Sequence, residues 1–245
     1  MQSRSLWSLT LAAAGLLAGT AANATLLGRD LNGDGTNDAY YDTTLNVTWL
    51  ADADYAYTSG YAAQYDAFGD GGAFGMTADR SAIWASTLDY FGFTGWRLPR
   101  VNFTDPFTCG AIQFGGTDCG FNVRTTQGGT VYSEMASLYY DTLGNVAFYD
   151  TSGNARSGFG FLNAGPFVNA MDARGYYLGT TSSINGSVFM FDTSNGGQFV
   201  DAGYLRRYAW AVHDGDVHVP EPGTLLLLAG GLAGMALTRG RRRGA

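Results

Sequence analysis

A short acidic stretch near the start of the chain, "DLNGDGTND" at residues 30–38, combines the residue types of a cation site. Oxygen-bearing side chains occupy alternate positions, and Gly35 stands where EF-hand-like loops turn most sharply. Because alternate oxygens in a tight loop point inward, the pattern suits a hard cation, and we predict Ca2+. The predicted ligands are Asp30, Asn32, Asp34, Thr36 (through its main-chain carbonyl) and Asp38.

The last position of this loop favours a second interpretation. EF-hand loops close with a bidentate Glu at position twelve, where this chain has Tyr41, and Asp42 follows one residue late. Without that ligand, the stretch is an ordinary surface turn whose Asp and Asn side chains accept hydrogen bonds from nearby backbone amides. The sequence leaves the calcium site and the plain turn both open.

Side chains that could perform catalysis are sparse. His213 and His218 are the two histidines of the chain, and an isolated His at a strand end is more often a solvated neighbour of acids than a general base. Asp52 and Asp54 would hydrolyse a glycoside only if they faced each other across a groove. The serines lack the sequence pattern of a nucleophile elbow. We therefore expect a noncatalytic protein.

The two cysteines, Cys109 and Cys119, enclose a glycine-rich loop. A metal or redox site would need further ligands close in the sequence, and both histidines lie far along the chain. The first residues of the chain have the pattern of an export signal, and in an exported protein two cysteines this close are typical of a local disulfide. We predict a structural disulfide between them.

Short strands must position these groups, because Gly, Asn, Asp, Ser and Thr interrupt the apolar stretches of the middle of the chain. The segment "AYYDTTLNVTWLAD" at residues 39–52 predicts a hairpin with its turn at residues 43–46. The segment "SVFMFDTSNGGQFVDAG" at residues 187–203 predicts a second hairpin about Asn195-Gly196. The segment "YAWAVHD" at residues 208–214 is typical of a final buried strand.

Two helices are predicted. The first covers residues 77–91, with Thr77 as its N-cap, because apolar residues recur there at helical spacing. The residues expected on its buried face are Ile83, Trp84, Thr87, Leu88 and Phe91. The second begins at its cap Ser133 and ends at Gly144. With no repeat or long linker, these elements predict one α+β domain with short antiparallel strands, two helices and long loops.

The aromatic residues divide into two groups. Trp49, Trp84 and Trp210 sit in apolar runs and are predicted to lie in the core. Four tyrosines lie in a polar, glycine-rich stretch: Tyr55, Tyr57, Tyr61 and Tyr65. These tyrosines either stack against sugar rings or pack the stretch onto the domain.

The first residues of the chain have the pattern of an export signal. Arg4 supplies a positive start, an apolar run follows, and Ala22-Asn23-Ala24 has the small residues of a cleavage site. A buried first helix is the alternative, but the run lacks a polar face. We assign residues 1–24 to a signal peptide and predict export through the inner membrane.

The charge of the remaining chain excludes one class of partner. Of the 14 basic and 21 acidic residues, five arginines and Glu221 lie in the two terminal segments, which leaves residues 25–218 with a net charge of about −11. The chain contains no lysine. Because such a surface repels phosphate backbones, we expect no nucleic-acid partner; cations and neutral sugars suit it better.

The C-terminal segment, "VPEPGTLLLLAGGLAGMALTRGRRR", joins a rigid turn, a short apolar run and an arginine cluster. The fifteen residues of the run measure about 22 Å as a helix, short of the roughly 30 Å hydrocarbon core. The segment resembles a PEP-CTERM sorting signal at residues 219–245, with Pro220, Glu221 and Pro222 as its motif. The resemblance implies a transient transmembrane anchor, an exosortase-type membrane protease as partner, and delivery to the cell surface or extracellular matrix. A permanent anchor is the alternative.

Four segments between these ends carry a second resemblance: "YYDTTLNVTWLADADYA", "GWRLPRVN", "GYYLGTTSS" and "YAWAVHDGDV". In this order they resemble the Lcl C-terminal-like domain, which would span residues 25–218. The resemblance implies a C-type-lectin-like fold and a noncatalytic role in binding extracellular polysaccharide or in adhesion. Because that fold group also includes formylglycine-generating enzymes, an extracellular enzyme of that kind or a glycosidase is the alternative. A purely structural matrix component is a third.

The most specific element of that resemblance is "GWRLP" at residues 95–99. The Arg97 guanidinium, between an indole and a proline, would either bind a ligand carboxylate or brace a turn. We expect the structural role, with internal hydrogen bonds satisfying the side chain.

Overall fold

The computed structural model describes residues 25–65, 75–170, 175–183 and 186–218. The predicted signal peptide (1–24) and sorting tail (219–245) lie outside the described residues. Within the described ranges, no helix is both long and apolar enough to cross a bilayer. We refer to residues 25–218 as the body.

Many short strands and few helices form the body. The strands, in chain order, are β1 Leu26–Arg29, β2 Ala39–Asp42, β3 Val47–Leu50, β4 Trp96–Arg97, β5 Gly120–Phe121, β6 Thr126–Gln127, β7 Thr130–Val131, β8 Gly175–Thr181, β9 Val188–Asp192, β10 Gly197–Asp201 and β11 Val212–Asp214. The helices are α1 Tyr55–Thr58, α2 Ala78–Thr87 and α3 Glu134–Ala136, which continues into a π-helical segment, Ser137–Thr142. Short 3-10 turns cover Ala62–Tyr65 and Pro106–Gly110.

A five-stranded antiparallel sheet forms around the first predicted hairpin, in the order β1-β2-β3-β11-β4. The hairpin of β2 and β3 is confirmed, and its turn residue Asn46 takes the positive φ of 53° that Asn tolerates. The last strand, β11, lies inside this sheet between β3 and β4. The final strand is therefore shorter than predicted: residues 209–211 are buried outside the ladder, and Tyr208 pairs with Tyr176 of β8 instead.

A second antiparallel sheet contains the other predicted hairpin. Its order is β5-β10-β9-β8, and β9 and β10 are joined by the expected turn at Asn195-Gly196. Asp192 stabilises this turn, because its Oδ1 atom accepts from the Ser194 amide at 2.9 Å and Oδ2 accepts from the Asn195 side chain at 3.1 Å. Strands β6 and β7 form a separate small hairpin.

Helix α2 starts where the sequence predicts, after Thr77, but two features of the prediction are wrong. The helix ends at Thr87, so Leu88 and Phe91 follow it rather than belong to it, and Phe91 turns back with φ of 53°. Its buried residues are Ala78, Ser81, Trp84 and Ala85, whereas Ile83 is 45% exposed. Small Ala and Ser side chains let the helix approach the sheets closely, and hydrophobicity alone does not detect that face.

The second predicted helix is confirmed between its predicted ends. Ser133 Oγ accepts from the Ala136 amide at 3.2 Å, as an N-cap does, and Gly144 follows the helix with φ of 71°. The widening to a π-helical hydrogen-bond pattern after Ala136 is not signalled by the sequence.

The core lies where both sheets and α2 meet. Trp49, Trp84 and Trp210 are buried as predicted, and Trp96 joins them. The rings of Trp49 and Trp210 meet edge to face at 5.2 Å, a favourable aromatic geometry. The described fold is thus mixed α and β with antiparallel sheets and few helices, and the C-type-lectin-like architecture stays a prediction.

Candidate functional site

The acidic loop after β1 folds as a series of hydrogen-bonded turns. Asp30 accepts from the Gly33 amide through Oδ1 and from the Gly35 amide through Oδ2, both at 2.7 Å. Asp34 Oδ1 accepts from the Thr36 amide at 2.8 Å. At the far end, Asp38 Oδ2 accepts from the Leu31 amide at 2.8 Å. The carboxylates that would bind calcium therefore hold the loop's own backbone.

The electrostatics of the loop follow from these contacts. The Thr36 amide, followed by the Asn32 side chain, holds the pKa of the Asp34 carboxyl below its ordinary value. Burial raises the pKa of Asp38 despite its backbone hydrogen bonds. Across the described ranges, no three His, Cys, Asp or Glu side chains converge as a metal site. Calcium binding stays a prediction, and the ion would share carboxylate oxygens that already accept from the loop's backbone amides.

Arg97 bridges two carboxylates from different elements. Its Nη1 and Nη2 atoms donate to the two oxygens of Glu134, each at 2.7 Å, and its Nε atom donates to Asp214 Oδ1 at 2.9 Å. Glu134 also accepts from the Arg100 amide at 2.7 Å. Because β4 carries Arg97, β11 carries Asp214 and α3 begins with Glu134, the cluster joins three elements. The prediction that internal hydrogen bonds satisfy Arg97 is confirmed.

The burial of this cluster is uneven. The side chains of Arg97 and Glu134 are 14% and 10% exposed, whereas that of Asp214 is 63% exposed. Burial lowers the pKa of Arg97, but the hydrogen bonds and charges of the two carboxylates raise that pKa by more than burial lowers it. The guanidinium therefore stays charged. Arg97 holds the pKa of Asp214 below its ordinary value. This arrangement suits bracing of the fold better than capture of a ligand, since the buried acid already occupies the guanidinium.

The remaining candidate catalytic groups have structural partners. Asp52 accepts from the Asp54 amide at 2.9 Å and from the Thr58 hydroxyl at 2.6 Å, so it holds the start of α1. Asp54 is buried, with 5% of its surface exposed. The His213 ring packs edge to face on Trp96, with ring centroids 5.6 Å apart.

The disulfide between Cys109 and Cys119 is present, as predicted. Beside it, the buried carboxylate of Asp118 accepts from the amides of Thr104 and Asp105 and pairs with Arg124. The bond and the carboxylate thus fix a long loop onto β5, which is the role of a structural staple.

Two open clefts lie on either side of Arg206. The larger, of about 550 Å³, is lined by Gly175, Met190, Asp192, Ser194, Arg206, Arg207 and Tyr208. The smaller, of about 220 Å³, is lined by Tyr65, Gly75, Met76, Thr77, Arg80 and Arg206. The larger cleft lies where β8, β9 and residues 206–208 meet, and the smaller one lies between Tyr65, the start of α2 and Arg206. Polar side chains and one tyrosine line each cleft.

The larger cleft presents both donors and acceptors. Arg207 pairs with Asp201 at 2.6 Å and donates to the Arg206 carbonyl at 3.0 Å. Its Nε atom is buried and has no hydrogen-bond partner among the described residues, so it is not a donor that the open cleft presents. The Asp192 carboxylate accepts from the Ser194 amide, from the Ser194 hydroxyl at 2.6 Å and from the Asn195 side chain, so about one of its four lone-pair directions is left for a ligand. Gly175 lets the side chains of Met190 and Arg207 approach the backbone, because a Cβ there would lie 2.8 Å from Met190 Cε and 3.0 Å from Arg207 Cδ.

The smaller cleft receives one of the predicted surface tyrosines. The Arg80 guanidinium lies over the Tyr65 ring at 4.4 Å, and Arg206 donates to the Tyr65 carbonyl at 3.2 Å. Tyr55 and Tyr61 instead pack against the core, and Tyr57 is exposed. The tyrosine-rich stretch therefore divides between packing and cleft formation.

The end of the body is bound across the five-stranded sheet. After β11 the chain turns at Gly215, with φ of 76°, and its carbonyl accepts from Thr48 Oγ1 at 2.7 Å. The Val217 amide then donates to the same hydroxyl oxygen at 3.1 Å. Asp216 reaches Arg29 of β1, whose Nε and Nη2 atoms donate to its two oxygens at 2.6 and 2.8 Å. We call residues 215–218 the C-terminal strap.

Comparison with known proteins identifies one feature of the chain. Residues 218–243 match the family model of the PEP-CTERM protein-sorting motif, which includes the predicted Pro220, Glu221 and Pro222. The match implies export and a C-terminal sorting signal of the kind that exosortases process. Neither the comparison with curated proteins nor that with solved structures finds a match to this chain.

Sequence reasoning missed the residues that build these sites from distant parts of the chain. Glu134 and Asp214, the partners of Arg97, lie 37 and 117 residues away from it. The available signal for the first is a charged residue directly after the cap Ser133 and before the apolar part of the helix. For Arg206 and Arg207, the adjacent pair in an arginine-poor body was the only signal.

Proposed function

We propose that this chain is an exported, noncatalytic protein of the cell surface or extracellular matrix, whose tail is removed by an exosortase-type protease at the inner membrane. The observation that carries the proposal is the sorting-motif match at residues 218–243, directly behind the last anchored residues of the body. The predicted signal peptide at residues 1–24 supports the same route. In this proposal the membrane anchor is transient, and the body is the delivered product.

The delivered body binds a polysaccharide in the clefts about Arg206. Arg206, Arg207 and Asp192 line the larger cleft, and guanidinium donors beside a carboxylate acceptor match neighbouring sugar hydroxyls. Tyr208 and Tyr65 add ring surface of the kind on which sugars stack. A neutral polysaccharide suits the body best, because its net charge of about −11 repels polyanions.

Mass measurement tests the sorting half of the proposal. Intact-mass analysis of membrane, surface and medium fractions of the producing cells should find a body that begins at Thr25 and lacks the apolar run. Recovery of only the full-length chain would contradict the proposal. A membrane-bound form that has lost the signal peptide but keeps the tail would indicate a permanent anchor.

A glycan array tests the binding half. The purified body should bind at least one neutral glycan, and Arg206→Ala should reduce that binding at least tenfold. Arg156→Ala is the matched control, since Arg156 is exposed and lines neither cleft. Equal loss in both variants would contradict binding in these clefts. Binding to no glycan and no native matrix polysaccharide would favour a purely structural matrix component instead.

The rival enzyme function receives less support from the described residues. The acid pair of a glycosidase would be Asp52 and Asp54, and the first of these already holds helix α1. The two cysteines are bonded to each other, so neither is a free thiol. We therefore propose a noncatalytic protein.

A further inference from the structure

The segment around the disulfide presents large apolar side chains to solvent. Phe107 lies in the 3-10 turn Pro106–Gly110 and is 90% exposed, and Ile112 is 64% exposed. Single exposed hydrophobic residues are common on proteins, but these two lie five residues apart on one short stretch of chain. We call residues 105–119 the disulfide segment.

This segment is held in place at several points, so the outward position of Phe107 is a fixed feature. Asp105 Oδ1 accepts from the Phe107 amide at 3.1 Å and so caps the turn. The buried carboxylate of Asp118 accepts from the Asp105 amide at 2.7 Å. The Phe121 amide donates to the Gln113 carbonyl at 2.9 Å, and the disulfide closes the segment. A rigid exposed ring loses little conformational entropy when a partner covers it.

A cavity of about 210 Å³ opens beside the same turn. Its walls are residues 109–112, residues 119–120, Phe199 and Val200. Because β5 begins at Gly120, β10 extends past it, and Phe199 and Val200 line the cavity instead of pairing with a further residue of β5. Most of the lining is apolar side chain, glycine or disulfide. We call this cavity the disulfide pocket.

The size and position of the pocket match the exposed ring. A cavity of about 150 Å³ accommodates benzene, so the disulfide pocket has room for a phenyl ring. Phe107 lies two residues before Cys109, the first residue that lines the pocket, which is at most about 7 Å along the chain. Ring and pocket therefore lie side by side on one surface. A two-fold axis between two copies would place each ring in the pocket of the other copy, because such an interface uses the same patch twice.

The local charge also favours a second copy as the partner. The body carries a net charge of about −11, so two copies repel each other except where the surface is uncharged. Residues 101–117 contain one charged residue, Asp105, which caps the Phe107 turn. Beside the other wall of the pocket, Asp201 is paired with Arg207 at 2.6 Å. The patch is thus a place where two acidic bodies can meet without repulsion.

We infer that the disulfide pocket receives Phe107 of a second copy of this chain, so that two copies pair about a two-fold axis. Burying a Phe ring removes about 150–250 Å² from water, and two rings with the walls they cover give about 600–1,000 Å². Stable interfaces bury at least about 1,200 Å², so this pairing is weak. The inference goes beyond the proposed function, because it concerns contact between copies whether or not the tail is removed.

Photocrosslinking in the producing cells tests the contact on the full-length chain. A benzophenone amino acid replaces Phe107 in one chain and Leu162 in a control, since Leu162 is 71% exposed and lies outside the disulfide segment. We expect at least fivefold more covalent dimer from position 107, with the cross-link at residues 109–112 or 199–200 of the second copy. A dimer yield equal to the control, or cross-links from position 107 mainly to another protein or to lipid, would overturn the inference.

Gly110 allows the pocket to be filled without backbone strain. Its φ lies outside the left-handed region, and a Cβ there would meet no atom within 4 Å. Adding Gly110→Trp to the photoreactive chain should lower the yield of covalent dimer at least fivefold, because the indole takes the space that the ring needs. Thr44→Trp, in the exposed turn between β2 and β3, is the control and should leave the yield within a factor of 1.5. Equal yields for the two variants would contradict a contact through the pocket.

Sedimentation equilibrium of the protein recovered from the producing cells provides a second test. Phe107→Ser should raise the dissociation constant of the dimer at least tenfold, and Leu162→Ser should leave it within a factor of two. Both residues are exposed, so neither change removes a core contact. Wild-type protein that stays monomeric at millimolar concentration, or equal weakening by the two variants, would also overturn the inference.

Discussion

Replacing Arg97 by Met tests whether the three-element cluster stabilises the fold. The variant removes two charge-assisted hydrogen bonds from Glu134, whose side chain is 10% exposed, and leaves that carboxylate with the Arg100 amide as its remaining donor. Breaking a buried ion pair costs about 3–5 kcal/mol, and the exposed pair with Asp214 adds at most about 1 kcal/mol. Because Asp214 opens the cluster to solvent, we expect a loss of about 3 kcal/mol.

Urea unfolding of the purified body measures this loss. Arg97→Met should lower the midpoint without changing the slope of the free energy of unfolding against urea, since the folded surface is retained. The exposed Arg156→Ala is the control, and it should change the free energy of unfolding by less than about 0.5 kcal/mol. A loss below about 1 kcal/mol for Arg97→Met would refute the reasoning.

A double variant separates the lost ion pair from lost packing. Adding Glu134→Gln to Arg97→Met removes the buried charge but keeps an acceptor for the Arg100 amide. The double variant should therefore recover at least half of the lost stability. If it is as unstable as Arg97→Met alone, the cost does not come from an unpaired carboxylate.

Three further predictions concern pH, the disulfide and calcium. Asp214→Asn should lower the melting temperature at pH 7, because Arg97 depresses the pKa of the Asp214 carboxyl and the ionised form stabilises the fold. The difference from wild type should vanish as the pH falls below about 3.9 and through the lower pKa of the folded state, where the carboxyl is protonated. Thermal scans from neutral to acidic pH measure this difference. Cys109→Ser with Cys119→Ser should cost about 2.5 kcal/mol in urea unfolding, the value for a loop of this length, and an unchanged midpoint would contradict a stabilising disulfide. Millimolar calcium should stabilise the body by about 1 kcal/mol if residues 30–38 form a weak extracellular-type site, and no heat in calorimetry with no thermal shift would remove the calcium prediction.

Local rules explain what the sequence predicts well. The turn of the first hairpin needs a residue that tolerates positive φ, and Asn46 supplies it. Ser133 and Gly144 mark the two ends of the second helix, because a cap and a left-handed stop each act on the residues next to them. The sorting tail is also a local pattern of composition and order, so its recognition needed no tertiary information.

Features that depend on tertiary contacts were beyond the sequence. Nothing near Arg97 indicates that its partners come from α3 and β11, because sequence spacing does not reveal which strands become neighbours. Hydrophobicity correctly predicts Trp84 on the buried face of α2 but also places Ile83 there, whereas close packing selects Ala85 and Ser81. The alternate acids of residues 30–38 fit a cation loop and a hydrogen-bonded turn equally well until their amide partners are known.

The position of β11 has a mechanical consequence for a protein held by its C-terminal end. A pull on that end loads the Asp216–Arg29 pair and the Thr48 contacts before any strand. The load then reaches β11, which is hydrogen-bonded to β3 on one side and β4 on the other. Force on the C-terminal end must therefore break the hydrogen bonds of β11 to both β3 and β4 before the sheet opens. This arrangement makes the C-terminal end of the body resistant to pulling.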